Sequence, residues 1–180
     1  ASSGKKMMAI GCVENIVQAP IIVYGCGRSG TSILQKAIGA HKEVINAGKE
    51  DPLLSHLAVF YQAYCGRDRE YRSANYRGGL KGLGTSLAQM VFENEFGVGS
   101  HVEEEIKRWV TKSFPHMSNI HGLKDMFPQM DIVFIYRNAA DVCESALRYP
   151  GFADLSFKDI CHRWAIWVDE FDAIRAVFSG

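Results

Sequence analysis

The sequence has no excess of either charge: its 20 Lys and Arg are matched by 20 Asp and Glu. Without a global field the chain as a whole attracts neither a polyanion nor an anionic membrane, so any anion site has to be local. No nucleic-acid partner is expected. Long apolar runs are also missing, and the longest fall far short of the roughly 18–20 residues a membrane span needs. The opening ASSGKKMMAIGC has a short apolar patch but nothing long enough for a secretory signal. Cys12, Cys26, Cys65, Cys143 and Cys161 form neither a C-x-x-C pair nor a regular framework. They read as reduced thiols, which points to the cytoplasm, or to the Golgi lumen if an N-terminal anchor has been removed. No two His stand at i, i+4 and no Cys/His cluster exists, so no metal site is expected. What remains is 180 residues with 47% apolar content, enough for one core and one domain over 1–180.

Within it, YGCGRSGTS from Tyr24 to Ser32 has the G-x-x-x-x-G spacing of a phosphate-binding loop, from Gly25 to Gly30. The Lys that should follow is absent. Thr31 and Ser32 stand there, and Arg28 sits inside the loop. The β-branched run PIIVYG before it reads as a buried parallel strand. Thr31 to His41 reads as a helix with Ile33, Leu34, Ala37 and Ile38 on one face. Strand, glycine loop and helix come in the order that aims loop amides and a helix N-terminus at an anion. Glycines after strands also serve plain tight turns, but the two hydroxyls and Arg28 add donors and a cation. A metal–nucleoside triphosphate is poorly served: the lysine is missing, and Asp131 opens the strand DIVFIYR instead of closing it.

Asp51-Pro52 is a helix start leading into LLSHLAVFYQAY. The stretch CGRDREYRSANYRGGLKGLGTS shows no clear period and reads as loop, a candidate flap over a substrate. Helices are expected near 85–96 and 101–113, the second opening on Glu103, Glu104 and Glu105. DIVFIYR, Asp131 to Arg137, is the second buried strand and runs into NAADVCESALRY, whose Val142, Cys143, Ala146 and Leu147 form a helical stripe. The last helix, 155–178, repeats Ile160, Trp164, Trp167, Phe171, Ile174 and Phe178 at spacings of three and four, which is core patterning. The order of elements argues for an α/β layer with a parallel sheet.

Two segments carry a family resemblance. GCGRSGTSILQKAIGAHKEV resembles the 5′-phosphosulfate loop of sulfotransferases, and FIYRNAADVCESALRY resembles their 3′-phosphate motif, with LKDMFPQM before it as in that family. The motif style is nearest to tyrosylprotein, carbohydrate-type and bacterial members. The resemblance covers roughly 20–50 and 109–170. It implies a P-loop NTPase-like three-layer α/β fold with a central parallel sheet flanked by helices. It also implies in-line sulfuryl transfer from 3′-phosphoadenosine 5′-phosphosulfate, without metal, to a hydroxyl or amine of a small-molecule, carbohydrate or peptide acceptor. Residues Gly27, Arg28, Ser29, Gly30, Thr31 and Ser32 would hold the 5′-phosphate, and Arg137 and Ser145 the 3′-phosphate. That donor carries an anion at each end of its adenosine, so two cradles are what it requires. Arg137 could instead form a surface ion pair with Asp141.

The resemblance further implies a catalytic base, and position favours Glu50 over Glu43; Glu50 could also cap the helix beginning near Pro52. His56, His116 and His121 have no position in the family pattern. His41 ends the first helix and reads as packing and capping. Lys112, before Pro115, matches the family's lysine between the two motifs, one residue further from the Pro than usual. The family domain normally continues past the last helix with a Gly- and basic-rich loop, so its C-terminal part is expected to be lacking here. Two rivals stay open: a P-loop nucleotide kinase or NTPase with a degenerate loop, and a non-catalytic nucleotide-binding module.

Overall fold

A computed structural model describes residues 16–50, 52–66, 79–97 and 105–179. Its strands are β1 (Pro20–Tyr24), β2 (Val44–Glu50), β3 (Arg108–Lys112) and β4 (Asp131–Phe134). The helices are α1 (Thr31–Ile38), α2 (Leu53–Gly66), α3 (Gly79–Phe96), α4 (Ile120–Met126), α5 (Ala139–Leu147) and α6 (Phe157–Ser179), with a 3-10 turn at Pro150–Phe152. The four strands lie in the order β2-β3-β1-β4, and every pairing is parallel. Parallel strands need helical crossovers, which cover both sheet faces. Ile22, Val23, Trp109 and Val110 are accordingly fully buried in the two central strands.

Side chains alternate across the sheet, so Ile22 and Tyr24 share one face and Val23 takes the other. The first face joins Trp109, Phe127 and the apolar sides of α2, α3 and α4 in the main core. Phe92, Phe96 and Phe127 meet Trp109 edge-on at 5.9, 5.9 and 6.0 Å, a favoured ring geometry. The indole N–H donates to Val17 O at 3.2 Å, so no polar atom is stranded there. On the opposite face α1 lies over β2, where Gln35 Nε2 donates to Asn46 Oδ1 at 3.0 Å. The result is the expected three-layer α/β fold.

Four local expectations are corrected. The helix expected over 101–113 is strand β3 from Arg108 onward, and 101–104 lie outside the described residues. Trp109, Val110 and Thr111 are buried on both faces of the sheet, so the alternation that betrays a strand is missing. The loop expected over 65–86 is helix at both ends: α2 runs through Gly66 and α3 begins at Gly79, with 67–78 outside the described residues. Tyr61 OH donates to Leu80 O at 2.9 Å and ties the glycine-rich start of α3 to α2. On α1, Ile33 is 75% exposed and the buried residue is Gln35. β4 stops at Phe134, although Ile135 N still donates to Tyr24 O at 2.9 Å. Strand β2 was not anticipated. Its Asn, Gly and Lys are poor strand formers, and a register shift between Asn46 and Glu50 accommodates Gly48 at φ 84°.

At the N-terminal edge of the sheet the Arg108 guanidinium donates to Ala19 O (3.0 Å), Pro20 O (3.2 Å) and Gln129 O (3.1 Å) and pairs with Asp131. Asp131 therefore belongs to the edge opposite the phosphate loop. Elsewhere, α4 approaches α2 so closely that a Cβ on Gly122 would lie 2.3 Å from Ala58 O, whereas one on Gly82 would meet nothing within 4 Å. Gly122→Ala should therefore lower stability by about 1–3 kcal/mol in urea unfolding. Gly82→Ala, in the open part of α3, should raise it by about 0.5–1 kcal/mol. Equal effects would mean that the α2–α4 contact is not formed.

Candidate active site

In an all-parallel sheet every C-terminal strand end lies on one edge. That edge collects the loop after β1, Glu50 closing β2, Lys112 closing β3, and the link from β4 to α5. The register sets Glu50 opposite Lys112 and Lys112 opposite Val23. The side chain of Glu50 lies outside the described ones, and α2 begins three residues later at Leu53.

The loop takes its shape from close approach. A Cβ on Gly25 would fall 2.7 Å from Ile135 O and 2.8 Å from Ile135 Cγ2, and one on Gly27 would fall 3.1 Å from Phe152 Cζ. Arg28 adopts φ 73° and Gly30 φ 103°, left-handed values that turn the chain sharply into α1. Ser29 N donates to Cys26 O at 3.1 Å within the turn. Gly30 caps α1 without any side-chain bond, and the first turn holds no acid. The amides of Thr31 and Ser32, first in the helix, have no intrahelical acceptor, so the positive end of α1 faces the cleft.

Arg28 is the hub. Its Nε donates to Ser145 Oγ at 3.3 Å, its guanidinium lies 4.6 Å over the Tyr149 ring, and its carbonyl accepts from Arg137 Nη1 at 3.4 Å. Asn138 caps α5 by accepting from Ala140 N at 2.9 Å, which orients the helix that carries Ser145. Arg137 Nε also lies 3.6 Å from Asp141 Oδ2, so the pairing weighed from the sequence is present, between two half-exposed side chains. Such a pair is worth about 0–1 kcal/mol and leaves other guanidinium donors available. On the other side of the loop Lys112 Nζ donates to Ser32 Oγ at 3.3 Å. Ser113 behind it is buried and shares a hydrogen bond with Ser55 at 2.9 Å, fixing the exit of β3 against α2.

A cleft of about 410 Å³ opens between the loop and α6, lined on the loop side by Gly25 to Arg28, Thr31, Ser32 and Lys112. Arg137 and Ser145 are not in its wall; they meet the loop through Arg28. Ser29 is buried and Gly30 turns the chain, and neither lines the cleft. The opposite wall contains residues that sequence reasoning did not assign: Phe114, Tyr149, Phe152, Arg163 and Trp167. Ile160, Arg163 and Trp167 are spaced three and four on α6, so the stripe read as core also forms a cleft wall. A cation inside an apolar stripe was the available signal. Cys26 lines the cleft from the loop; burial pushes its thiol above the usual range, and the Arg163 charge opposes that rise.

Fold and loop together define an α/β protein with a glycine loop of phosphate-loop spacing at the C-terminal edge of a parallel sheet, where such folds bind ligands. The comparison with family models narrows this. The model of the sulfotransferase family matches residues 20–178, and the chain belongs to that family. It is a transferase, and the chemistry of its family is sulfuryl transfer. A search of curated proteins found no match.

The position of Cys26 makes a direct check of the cleft. Burial disfavours the thiolate, so at pH 8 its site-resolved alkylation should run slower than that of a free thiol and its midpoint should lie at higher pH. Arg163→Gln removes the opposing charge and should shift the midpoint higher still. An unchanged midpoint in that variant would place Arg163 away from the loop.

Proposed function

We propose that the protein transfers the sulfuryl group of 3′-phosphoadenosine 5′-phosphosulfate to an acceptor hydroxyl. The observation that carries this reading is the joining of two anion cradles through one residue. Arg28 belongs to the loop that would take the 5′-phosphosulfate, and it touches both Ser145 and Arg137, which would take the 3′-phosphate. A ligand with an anion at each end of a nucleoside fits that pair, and a ligand with a single phosphate chain uses only one. The glycines at 25 and 27 support the shape of the loop, since a Cβ at 25 would clash with the Ile135 carbonyl and one at 27 would crowd the Phe152 ring.

In this reading the amides of Thr31 and Ser32 and the Arg28 guanidinium bind the 5′-phosphate. Lys112, held beside Ser32, neutralises charge on the sulfuryl oxygens and on the bridging oxygen as it leaves. Glu50, on the strand end beside Lys112, takes the acceptor's proton while the acceptor oxygen forms its bond to sulfur. The sulfur–oxygen bond to the 5′-phosphate breaks and the bisphosphate departs with that electron pair. A carboxylate has to be within hydrogen-bond reach of the acceptor to do this, and the Glu50–Lys112 register supports that placement.

Adenosine 3′,5′-bisphosphate should raise the melting temperature well above the effect of AMP, without magnesium. A charge-assisted contact to the 3′-phosphate is worth roughly 1.5–3 kcal/mol, or about 10- to 150-fold in affinity. Arg137→Ala should erase the preference and keep the weak AMP effect. A larger shift with magnesium-ATP would favour a nucleotide kinase or NTPase instead. The base is tested separately: Glu50→Gln should lower kcat roughly 10²–10⁴-fold while bisphosphate affinity holds. Full activity in a folded Glu50→Gln protein would assign the proton to another group.

A further inference from the structure

The cleft wall holds more positive charge than the donor requires. Among the described side chains that line it the cations are Arg28, Lys112 and Arg163, with no Asp or Glu, and the Glu50 side chain lies outside those described. On the reading above, the reacting end of the donor brings one negative charge on phosphate and one on the sulfuryl group. Arg28 and Lys112 match those two, Arg28 bonded to Ser145 on α5 and Lys112 to Ser32 at the start of α1. Arg163 is left over. Among the described residues no hydrogen bond or ion pair holds its guanidinium. The acid one turn earlier on α6, Asp159, feels the Arg163 charge without forming an ion pair with it, and its Oδ2 accepts from Ser156 N at 3.0 Å and from Ser156 Oγ at 2.6 Å.

Around Arg163 the wall is aromatic. Trp167 is one turn further along α6, stacked on Tyr24 at 5.1 Å and met edge-on by Phe114 at 5.3 Å, so its ring is fixed from two sides. Tyr149 and Phe152, which also line the cleft, pack together at 6.0 Å. Walls of fixed rings suit a planar apolar body, and a guanidinium fork suits a carboxylate. The chemistry favours a ring as well. A phenolic hydroxyl has a pKa of about 10, far nearer the reach of a carboxylate base than an aliphatic alcohol.

We propose that the acceptor is a small phenolic acid, its ring against Phe114, Tyr149, Phe152 and Trp167 and its carboxylate on Arg163. The inference rests on the sulfuryl-transfer reading for the reaction, but its binding test does not need turnover. Calorimetry with 4-hydroxyphenylacetate and 4-hydroxyphenylacetamide, in saturating adenosine 3′,5′-bisphosphate, compares an anion with its neutral isostere. The acid should bind at least about 10-fold more tightly than the amide. Arg163→Gln should erase that preference and leave the affinities for the amide and the bisphosphate unchanged. Equal binding of acid and amide to the wild type, or a preference that survives Arg163→Gln, overturns the proposal. So does 4-hydroxybutyrate binding as well as the phenolic acid, since the rings would then contribute nothing. Loss of bisphosphate affinity in Arg163→Gln would assign this residue to the donor and overturn the acceptor role while leaving sulfuryl transfer intact. The same titrations without nucleotide separate the two readings. If the bisphosphate fails to bind the wild type, the donor reading falls, and the acid–amide difference still decides this one.

Discussion

The close approach of Gly25 to the end of β4 is the contact on which the rest of the site depends. Ile135 N donates to Tyr24 O, and the missing side chain at residue 25 lets the backbone of Ile135 come within a distance no Cβ would permit. That contact presses the loop after β1 against the link between β4 and α5. Everything after Ile135 in this link is then delivered to the loop: Arg137 to the Arg28 carbonyl, and Ser145 to the Arg28 side chain. Two motifs separated by more than a hundred residues meet because Gly25, the first residue of the loop, lacks a side chain.

The electrostatics follow the same local logic. The chain has no net charge, yet its cleft draws cations from three elements that share one sheet edge: Arg28 from the loop, Lys112 from β3 and Arg163 from α6. The positive end of α1 adds to them. Two of the acids are paired away from the cleft. Asp131 is bound to Arg108 at the opposite edge of the sheet, and Glu43 pairs with Lys107 near the start of β2 and β3. That pairing holds the Glu43 carboxyl below its usual range. A neutral protein thus gathers three cations at one cleft without a long-range field.

The main elements that carry the site could be read from the sequence because their signals are local. PIIVY is a run of buried apolar residues ended by glycine, and the glycine loop has a fixed spacing before a helix. The Arg at the end of DIVFIYR and the Ser eight residues later sit on a strand and helix that are equally plain. What could not be read were elements whose stability is not their own. β2 contains Asn, Gly and Lys and exists because β3 offers it a partner. RWVTK has too few residues to show a period and is buried on both faces. The glycine-rich start of α3 is helical because Leu80 packs in the core and Tyr61 holds its carbonyl.

By itself the sequence determined the order of strand, loop and helix, the two motifs that resemble those of sulfotransferases, and the family itself. These depend on residues close together in the chain, where covalent spacing sets the geometry. Only the tertiary structure decided that both motifs converge on Arg28, that Lys112 reaches Ser32, and that Arg163 looks across a cleft walled by Phe114, Tyr149, Phe152 and Trp167. Those relations depend on strand order. The order β2-β3-β1-β4 puts the first strand in the middle, and that order is set by how the helices bury the two faces of the sheet, which no local stretch of sequence encodes.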